Sequence, residues 1–321
     1  MADLGGITGL HPFRVPLRLR FRGVTERVGV LLRGPVGWGE FSPFPEYGPD
    51  YAARWLDAAI DAATVAFPDP VRTSVLVNTT VPAVDAATAA AMVARSGCST
   101  AKVKVAEAGQ DLAADVERVA AVRDVLGPGG RIRLDANAAW DVETAVMAMA
   151  RLARFDLEYV EQPCATLHEL AEVRRRSTVA VAADESIRTA EDPIAAVRAG
   201  AVDVIVVKVQ PLGGVVRALE IADAAGVPVV VSSALETSVG LAAGVALAAA
   251  LPDLPYACGL GTGTLLAGDV TNAPLVPVDG VIAVRRVEPD ASLLDQFALG
   301  PDETSAVLDR LAAADRVRSR T

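Results

Sequence analysis

The chain has 321 residues, 52% hydrophobic and 22% charged, which is enough apolar side chain for a large buried core and gives no sign of disorder or of a fibre. Its formal net charge is −10 and its pI about 4.8, and the arginines are scattered, so neither nucleic acid nor an anionic membrane is expected as a partner. Cys98, Cys164 and Cys258 form no C-x-x-C pair, an odd number gives no disulfide framework, and the first residues carry no basic-plus-apolar leader, so a reducing cytoplasm is expected. The apolar stretches near 201–209 and 239–251 are too short or too interrupted to span a bilayer.

Residues 1–73 read as a small α+β unit. LRLRF (17–21), RVGVLLRG (27–34) and GWGEFSP (37–43) have the look of short antiparallel strands with glycine turns, and DYAARWLDAAIDAATVAF (50–67) that of one helix. From residue 74 a regular beat begins, with short β-branched runs separated by Ala/Leu/Arg helical stretches. The runs are SVLVNTT (74–80), TAKVKVA (100–106), RIRLDAN (131–137), LEYVEQP (157–163), VAVAADE (179–185), VDVIVVKV (202–209), PVVVSSA (228–234) and PYACGLG (255–261). Strands alternating with helices imply right-handed βαβ units, and eight of them imply a closed parallel barrel over 74–264. The competing open doubly wound sheet lacks its G-x-G-x-x-G turn. GLGTG (259–263) suits either a backbone anion nest or an ordinary turn. The last segment, 265–321, has no such beat. Its DGVIAVRR and ETSAVLDRLAAADRV predict a short extended piece and a final helix, returning to pack on the N-terminal unit.

Lysine usage is skewed. Of 30 Lys+Arg only Lys102, Lys104 and Lys208 are lysine. Arginine cannot lose its proton in a protein and lysine can, so three surviving lysines are candidates for proton chemistry. Lys102 and Lys104, two apart in a strand, point to one side. Asp135, Glu161 and Asp184 end three consecutive strand runs, and Lys208 lies late in another. In a parallel barrel these ends meet at one face. Three convergent carboxylates would repel one another without a cation, and oxygen ligands with no His or Cys suit Mg²⁺, with Mn²⁺ as a substitute. Burial and the Lys102 ammonium would lower the pKa of Lys104, as a base requires, while Lys208 faces it across the barrel. Two lysines about a metal suit removal of a proton next to a carboxylate, so the expected partner is a small-molecule carboxylate.

The motifs K-V-K (102–104), L-D-A-N (134–137), V-E-Q-P (160–163), A-D-E-S (183–186) and V-V-K (206–208) resemble the enolase superfamily, in its muconate-lactonizing branch with two opposed lysines. G-W-G-E (37–40) and S-S-A-L-E-T-S (232–238) extend the likeness over nearly the whole chain. Within the superfamily, R-L-D-A-N-A-A-W (133–140), E-F-S-P-F-P-E (40–46) and G-L-G-T (259–262) are most similar to the o-succinylbenzoate synthase family of menaquinone biosynthesis. The resemblance implies a modified TIM barrel, (β/α)7β, with a capping domain formed by 1–73 and the C-terminal tail. It implies Asp135, Glu161 and Asp184 as Mg²⁺ ligands and Lys104 as the base that also protonates the departing hydroxide. Lys208 would stabilise the enediolate, with Lys102 beside the base.

Arg133, Asn137, Ser232, Ser233 and Gly259 are the further candidates for substrate contact. Glu185 suits either a lysine support or a rim ion pair. Arg20 and Arg22 lie in the cap, where the resemblance implies substrate specificity resides, but surface arginines are the favoured reading. His11 and His168 lie at no strand end and read as structural. An N-succinylamino acid racemase or a dipeptide epimerase on the same scaffold is the alternative. Two lysines allow it, but the last strand lacks the Asp-x-Asp expected of the epimerase. A non-catalytic ligand-binding barrel is more remote, since no ligand or lysine is missing.

Overall fold

A computed structural model describes residues 4–320. The chain opens with a three-stranded antiparallel sheet, β1 (Gly9–Phe21), β2 (Val24–Arg33) and β3 (Trp38–Phe41), followed by helix α1 (Pro49–Thr64). Next come β4 (Ser74–Leu76), β5 (Thr79–Val81), α2 (Ala86–Ser96), β6 (Thr100–Lys104), α3 (Leu112–Leu126), β7 (Arg131–Asp135), α4 (Val142–Leu152), β8 (Leu157–Glu161), α5 (Leu167–Arg176) and β9 (Val181–Ala183). The single turns α6 (Glu185–Arg188) and α7 (Ala195–Arg198) precede β10 (Val204–Val207). Then follow α8 (Val209–Leu212), α9 (Val215–Ala225), β11 (Val229–Val231), α10 (Ser238–Ala250), β12 (Val281–Ala283), α11 (Ala291–Gln296) and α12 (Pro301–Arg318).

Strands β5 to β11 form one sheet in sequence order, and each pairing within it is parallel. Two parallel bridges, Gly259 to Ser232 and Cys258 to Val77, join its two ends through the segment after α10. The fold is thus a (β/α)7β barrel with a small α+β cap. The eighth segment contributes bridges rather than a full strand. The run at 74–80, read from sequence as one strand, is two: β4 pairs antiparallel with β12, and only β5 enters the barrel. No helix of the described residues is long and apolar enough to cross a membrane.

Helix ends follow local chemistry. Asp85, Asp111, Asp141 and Thr237 cap α2, α3, α4 and α10 through their side chains, and Thr166 with Glu169 forms a capping box on α5. The cap has its own apolar cluster, in which Trp55 and Leu56 of α1 pack with Val307, Leu311 and Ala314 of α12. The segment between α11 and α12 reaches the cap sheet at the Phe13–Ala298 bridge.

Cap and barrel are fastened by buried polar groups. The Glu40 carboxyl group accepts hydrogen bonds from Thr237 N (3.1 Å), Thr237 Oγ1 (2.5 Å), Gly240 N (3.1 Å) and Ser42 Oγ (2.7 Å), so a strand of the cap supplies acceptors to the N-terminus of α10. Position 240 must be small, since a Cβ there would lie 2.9 Å from Glu40 Oε2. Arg27, also buried, donates to Leu235 O (3.1 Å) and to Ser42 O.

Replacing Glu40 with Ala should leave these donors unmatched and cost about 2–4 kcal/mol in chemical denaturation. Burial pushes the Glu40 carboxyl up to about 7, against the hydrogen bonds from Ser42 and Thr237. The folded chain then retains a proton that the unfolded chain has already released. The corresponding stability is present in full below the ordinary carboxyl range and is lost as pH rises through about 7. Unfolding free energy measured from about pH 5 to about pH 8 should therefore fall less in Glu40→Gln than in the parent. An equal fall in both would assign the effect to other groups.

Candidate active site

The strand register sets the site. Lys104 pairs with Asp135 and Asp135 with Glu161, so three charged side chains stand level on β6, β7 and β8. Glu161 pairs with Ala182, and Asp184 is two residues further on, past the end of β9. Lys208 immediately follows β10. With eight segments around the barrel, β6 and β10 lie opposite one another. The turns that follow are sharp: Ala106, Asn137, Ala138 and Gln162 all have positive φ, from 41° to 63°. Non-glycine residues in this region mark backbone held in place by its surroundings, as at functional rims.

The charged groups are almost wholly buried. Lys102, Lys104 and Lys208 are 7%, 8% and 5% exposed, and Asp135, Glu161 and Asp184 at most 1%. Lys104 Nζ donates to Asp135 Oδ2 (2.6 Å) and to Asn137 Oδ1. Lys102 Nζ donates to both Glu161 oxygens (3.0 and 3.1 Å) and lies 3.2 Å from Asp135 Oδ2. Lys208 Nζ donates to Asp184 Oδ2 (2.5 Å). Asn137 Nδ2 donates to Glu185 (3.2 Å), which also accepts from Arg188 (2.8 Å), and Arg188 continues to the Tyr47 hydroxyl of the cap. Glu185 thus forms a rim ion pair and also braces Lys104 through Asn137.

Electrostatics separates the two neighbouring lysines. Burial opposes charge on Lys102, but Glu161 and Asp135 together outweigh it and hold its pKa above the ordinary value. On Lys104 burial prevails: Asp135 pulls the pKa back, Lys102 adds to the lowering, and the net shift is downward. Desolvation opposes the charge on Asp135 and Asp184, yet the lysines beside them hold both carboxyls below the usual range. Glu161, buried and next to Asp135, is raised.

Among the described residues no three His, Cys, Asp or Glu side chains are placed to hold a metal ion together. The close convergence of carboxylates expected from sequence is therefore not the arrangement here. Asp184 stands a step above Glu161 in register, and each carboxylate is turned onto a lysine, which neutralises it in place. The donor set nevertheless suits a hard cation. It is all carboxylate oxygen on one rim, and Asp184 Oδ1 is buried without a hydrogen bond, with Arg188 Nε 3.2 Å away.

The sequence candidates divide. Lys102, Lys104, Asp135, Asn137, Asp184, Lys208, Ser232 and Ser233 line one narrow pocket, with Glu161 buried against Lys102. Two candidates do not belong to it. Arg133 is fully buried and turns toward the other end of the barrel. There it donates to Glu158 Oε2 (2.6 Å), Asn78 Oδ1 (3.3 Å) and Ala257 O (2.5 Å) and stacks on Tyr159 and Tyr256. Gly259 lies under Ser232, whose hydroxyl donates to its carbonyl, and a Cβ there would collide with that hydroxyl. The pocket also includes Phe21, Arg22, Phe44, Thr80, Ala234, Leu235 and Thr262, which sequence reading did not assign to it. Gln162 was missed too. Its Oε1 accepts from Asp184 N (3.0 Å) and Ser186 N (3.1 Å), fixing the turn that presents Asp184.

Residues 85–290 match the enolase C-terminal domain-like family and residues 13–63 the enolase N-terminal domain-like family. An o-succinylbenzoate synthase of Thermobifida fusca (strain YX) is 63% identical over 302 residues, 94% of each chain. The o-succinylbenzoate synthase of Mycobacterium marinum is 54% identical over 95% of this chain and 92% of its own. The chain belongs to the o-succinylbenzoate synthase family of the enolase superfamily. Among solved structures, the muconate lactonizing enzyme of Pseudomonas putida matches with TM-score 0.77 at 20% identity, covering 92% of this chain and 100% of that one. The L-Ala-D/L-Glu epimerase of Bacillus subtilis matches with TM-score 0.74 at 24% identity, covering 88% and 98%. At these identities the two structures bear on the fold alone. Enzymes of the enolase superfamily generally use Mg²⁺.

Two substitutions separate structure from chemistry. Arg133→Gln should lower stability by about 2–4 kcal/mol, because it strands Glu158 and the Ala257 carbonyl, while leaving KM near that of the parent. A large KM change with normal stability would return Arg133 to the substrate site. Asp184→Asn removes a charge at nearly constant volume. It should weaken Mg²⁺ binding in calorimetry about 10-fold or more, and affinity equal to the parent's would remove Asp184 from the ligand set.

Proposed function

We propose that this protein dehydrates 2-succinyl-6-hydroxy-2,4-cyclohexadiene-1-carboxylate to 2-succinylbenzoate, with Lys104 as base and acid, Lys208 as the facing cation, and Asp135, Glu161 and Asp184 as the holders of Mg²⁺. Residues 74–264 supply the catalytic barrel, and residues 1–73 with 265–321 supply the cap. What carries the reading is the placement of Lys104 and Lys208 on opposite strands of one buried pocket, with the carboxylates between them, in a chain 63% identical to a protein named for this activity. Three unpaired cysteines suit a reducing cytoplasm as its place of action.

Neutral Lys104 takes the proton from the ring carbon bearing the carboxylate. The C–H electron pair moves into the carboxylate as an enediolate. The pair then returns to form the ring double bond as the C–O bond at the neighbouring carbon breaks. The departing hydroxide takes the proton back from Lys104 and leaves as water, and the ring becomes aromatic. Lys104 is suited to this because burial and Lys102 keep its pKa below the ordinary lysine value. Lys208 offers positive charge from the other side of the pocket. A divalent cation held by Asp135, Glu161 and Asp184 would supply further positive charge to the substrate carboxylate.

Lys104→Arg retains charge but cannot accept a proton at neutral pH. It should lose about 10²–10⁴-fold or more in turnover and should not exchange the α-proton of substrate with deuterium. Lys208→Arg should be severely slowed yet retain a trace. Normal exchange in Lys104→Arg with none in Lys208→Arg would place the base on the other strand. Exhaustive chelation should abolish turnover and Mg²⁺ or Mn²⁺ restore it; full activity without metal would remove the cation from the mechanism.

A further inference from the structure

Arg22 occupies a position that local geometry would give to another residue. Phe21 pairs with Val24, so Arg22 and Gly23 form the two-residue turn between β1 and β2, with φ of 49° and 79°. A hairpin turn with both residues in the left-handed region favours Asn, Asp or Gly at its first place, not a long unbranched cation. Where a residue breaks a local rule and a neighbouring side chain does not compensate, function is the first place to look. Arg20, two residues earlier, is exposed, whereas Arg22 turns inward and lines the same pocket as the three lysines.

The charge balance inside the pocket points the same way. Lys102, Lys104 and Lys208 are each matched by a carboxylate at 3.2 Å or less. The only carboxylate within ion-pair reach of Arg22 among the described residues is Glu46, 3.9 Å away on a half-exposed side chain. The guanidinium lies 4.5 Å from the centre of the Phe44 ring, which shields it from water on that side. Of the barrel hydroxyls that line the same pocket, Ser233 pairs with Thr262 (2.5 Å) and Ser232 with the Gly259 carbonyl (3.3 Å), while that of Thr80 is buried without a hydrogen bond. The Tyr47 hydroxyl of the cap is hydrogen-bonded to Arg22, but no carboxylate meets it closely, so the cap side of the pocket offers one planar, permanently charged fork suited to a carboxylate.

We propose that Arg22 is a specificity-determining residue that binds the remote carboxylate of the substrate, the one at the end of the succinyl chain. The inference rests on the dehydratase reading above, in which the substrate carries a second carboxylate away from the reacting ring. The ring carboxylate belongs to the lysine side of the pocket, and the chain end extends to the cap, where Arg22 replaces the water it gives up.

The test uses Arg22→Asn, because Asn suits the left-handed turn and removes the charge without an expected loss of Tm. Calorimetry on Mg²⁺-loaded protein compares 2-succinylbenzoate with 2-butyrylbenzoate, which has the same chain length and no terminal carboxylate. The parent should prefer the succinyl compound by about 10–100-fold. In Arg22→Asn that preference should collapse to within about 3-fold, through loss of succinyl binding alone, and KM for the cyclohexadiene substrate should rise far more than kcat falls. Arg22→Lys should recover part of the preference, since charge returns without the fork. An active parent whose preference survives unchanged in Arg22→Asn would overturn the role of Arg22 and leave the activity standing. A parent that neither turns over the diene nor binds either benzoate would overturn both.

Discussion

The mouth of this barrel is governed by the need to match buried charge in place. Lys102, Lys104, Lys208 and Arg188 face Asp135, Glu161, Asp184 and Glu185 in a volume almost closed to water. Removing any one would leave buried charge undermatched, at a cost that a surface pair never carries. The matching is also uneven, and the unevenness is what chemistry can use. Lys102 has two carboxylates and is held protonated, while Lys104 shares Asp135 with it and is left the easier lysine to neutralise. The same strand therefore carries a fixed cation and a proton carrier two residues apart, and the first helps tune the second.

Register makes this possible. In a parallel barrel the level of a side chain is set by pairing, and Lys104, Asp135 and Glu161 are consecutive partners across β6, β7 and β8. A shift of one residue in any of these strands would turn its charge into the apolar layer between sheet and helices. The left-handed residues just beyond the strand ends fix where each chain leaves the rim. Gln162 then ties the Glu161 turn to the Asp184 turn through two backbone N–H groups, so neighbouring carboxylates are positioned by one side chain.

Much of this was legible in the chain itself. The alternation of β-branched runs with helical stretches gave the barrel, and charges at the ends of those runs gave the lysines and the carboxylates at its rim. What was not legible has a physical reason in each case. SVLVNTT is uniformly strand-forming, but propensity does not say which partner a strand takes, and β4 and β5 take different ones. Parity along β7 puts Arg133 on the same side as Asp135. It gives the face and not the depth, and a long side chain at a lower level reaches the opposite end of the barrel. Gly259 sits at a strand end, yet its role is to let Ser232 lie close above it. Arg22 is far from every catalytic motif in sequence, so only the folding of the cap over the barrel brings it to the pocket.

That last arrangement links fastening to recognition. Arg27 holds the cap to the barrel through the carbonyl of Leu235, is fixed within the cap by the carbonyl of Ser42, and has its guanidinium 4.2 Å from the centre of the Phe44 ring. Arg22 meets the same ring at 4.5 Å. One aromatic side chain thus contacts both the arginine that docks the cap and the arginine that faces the pocket. Leu235 lines the pocket itself and has a positive φ of 65°, so the carbonyl that Arg27 grips belongs to a constrained turn of the barrel rim. The position of the Arg22 fork relative to the lysines is therefore not left to a free hairpin. It is inherited from a buried polar joint, through a ring too large to move without disturbing the pocket wall.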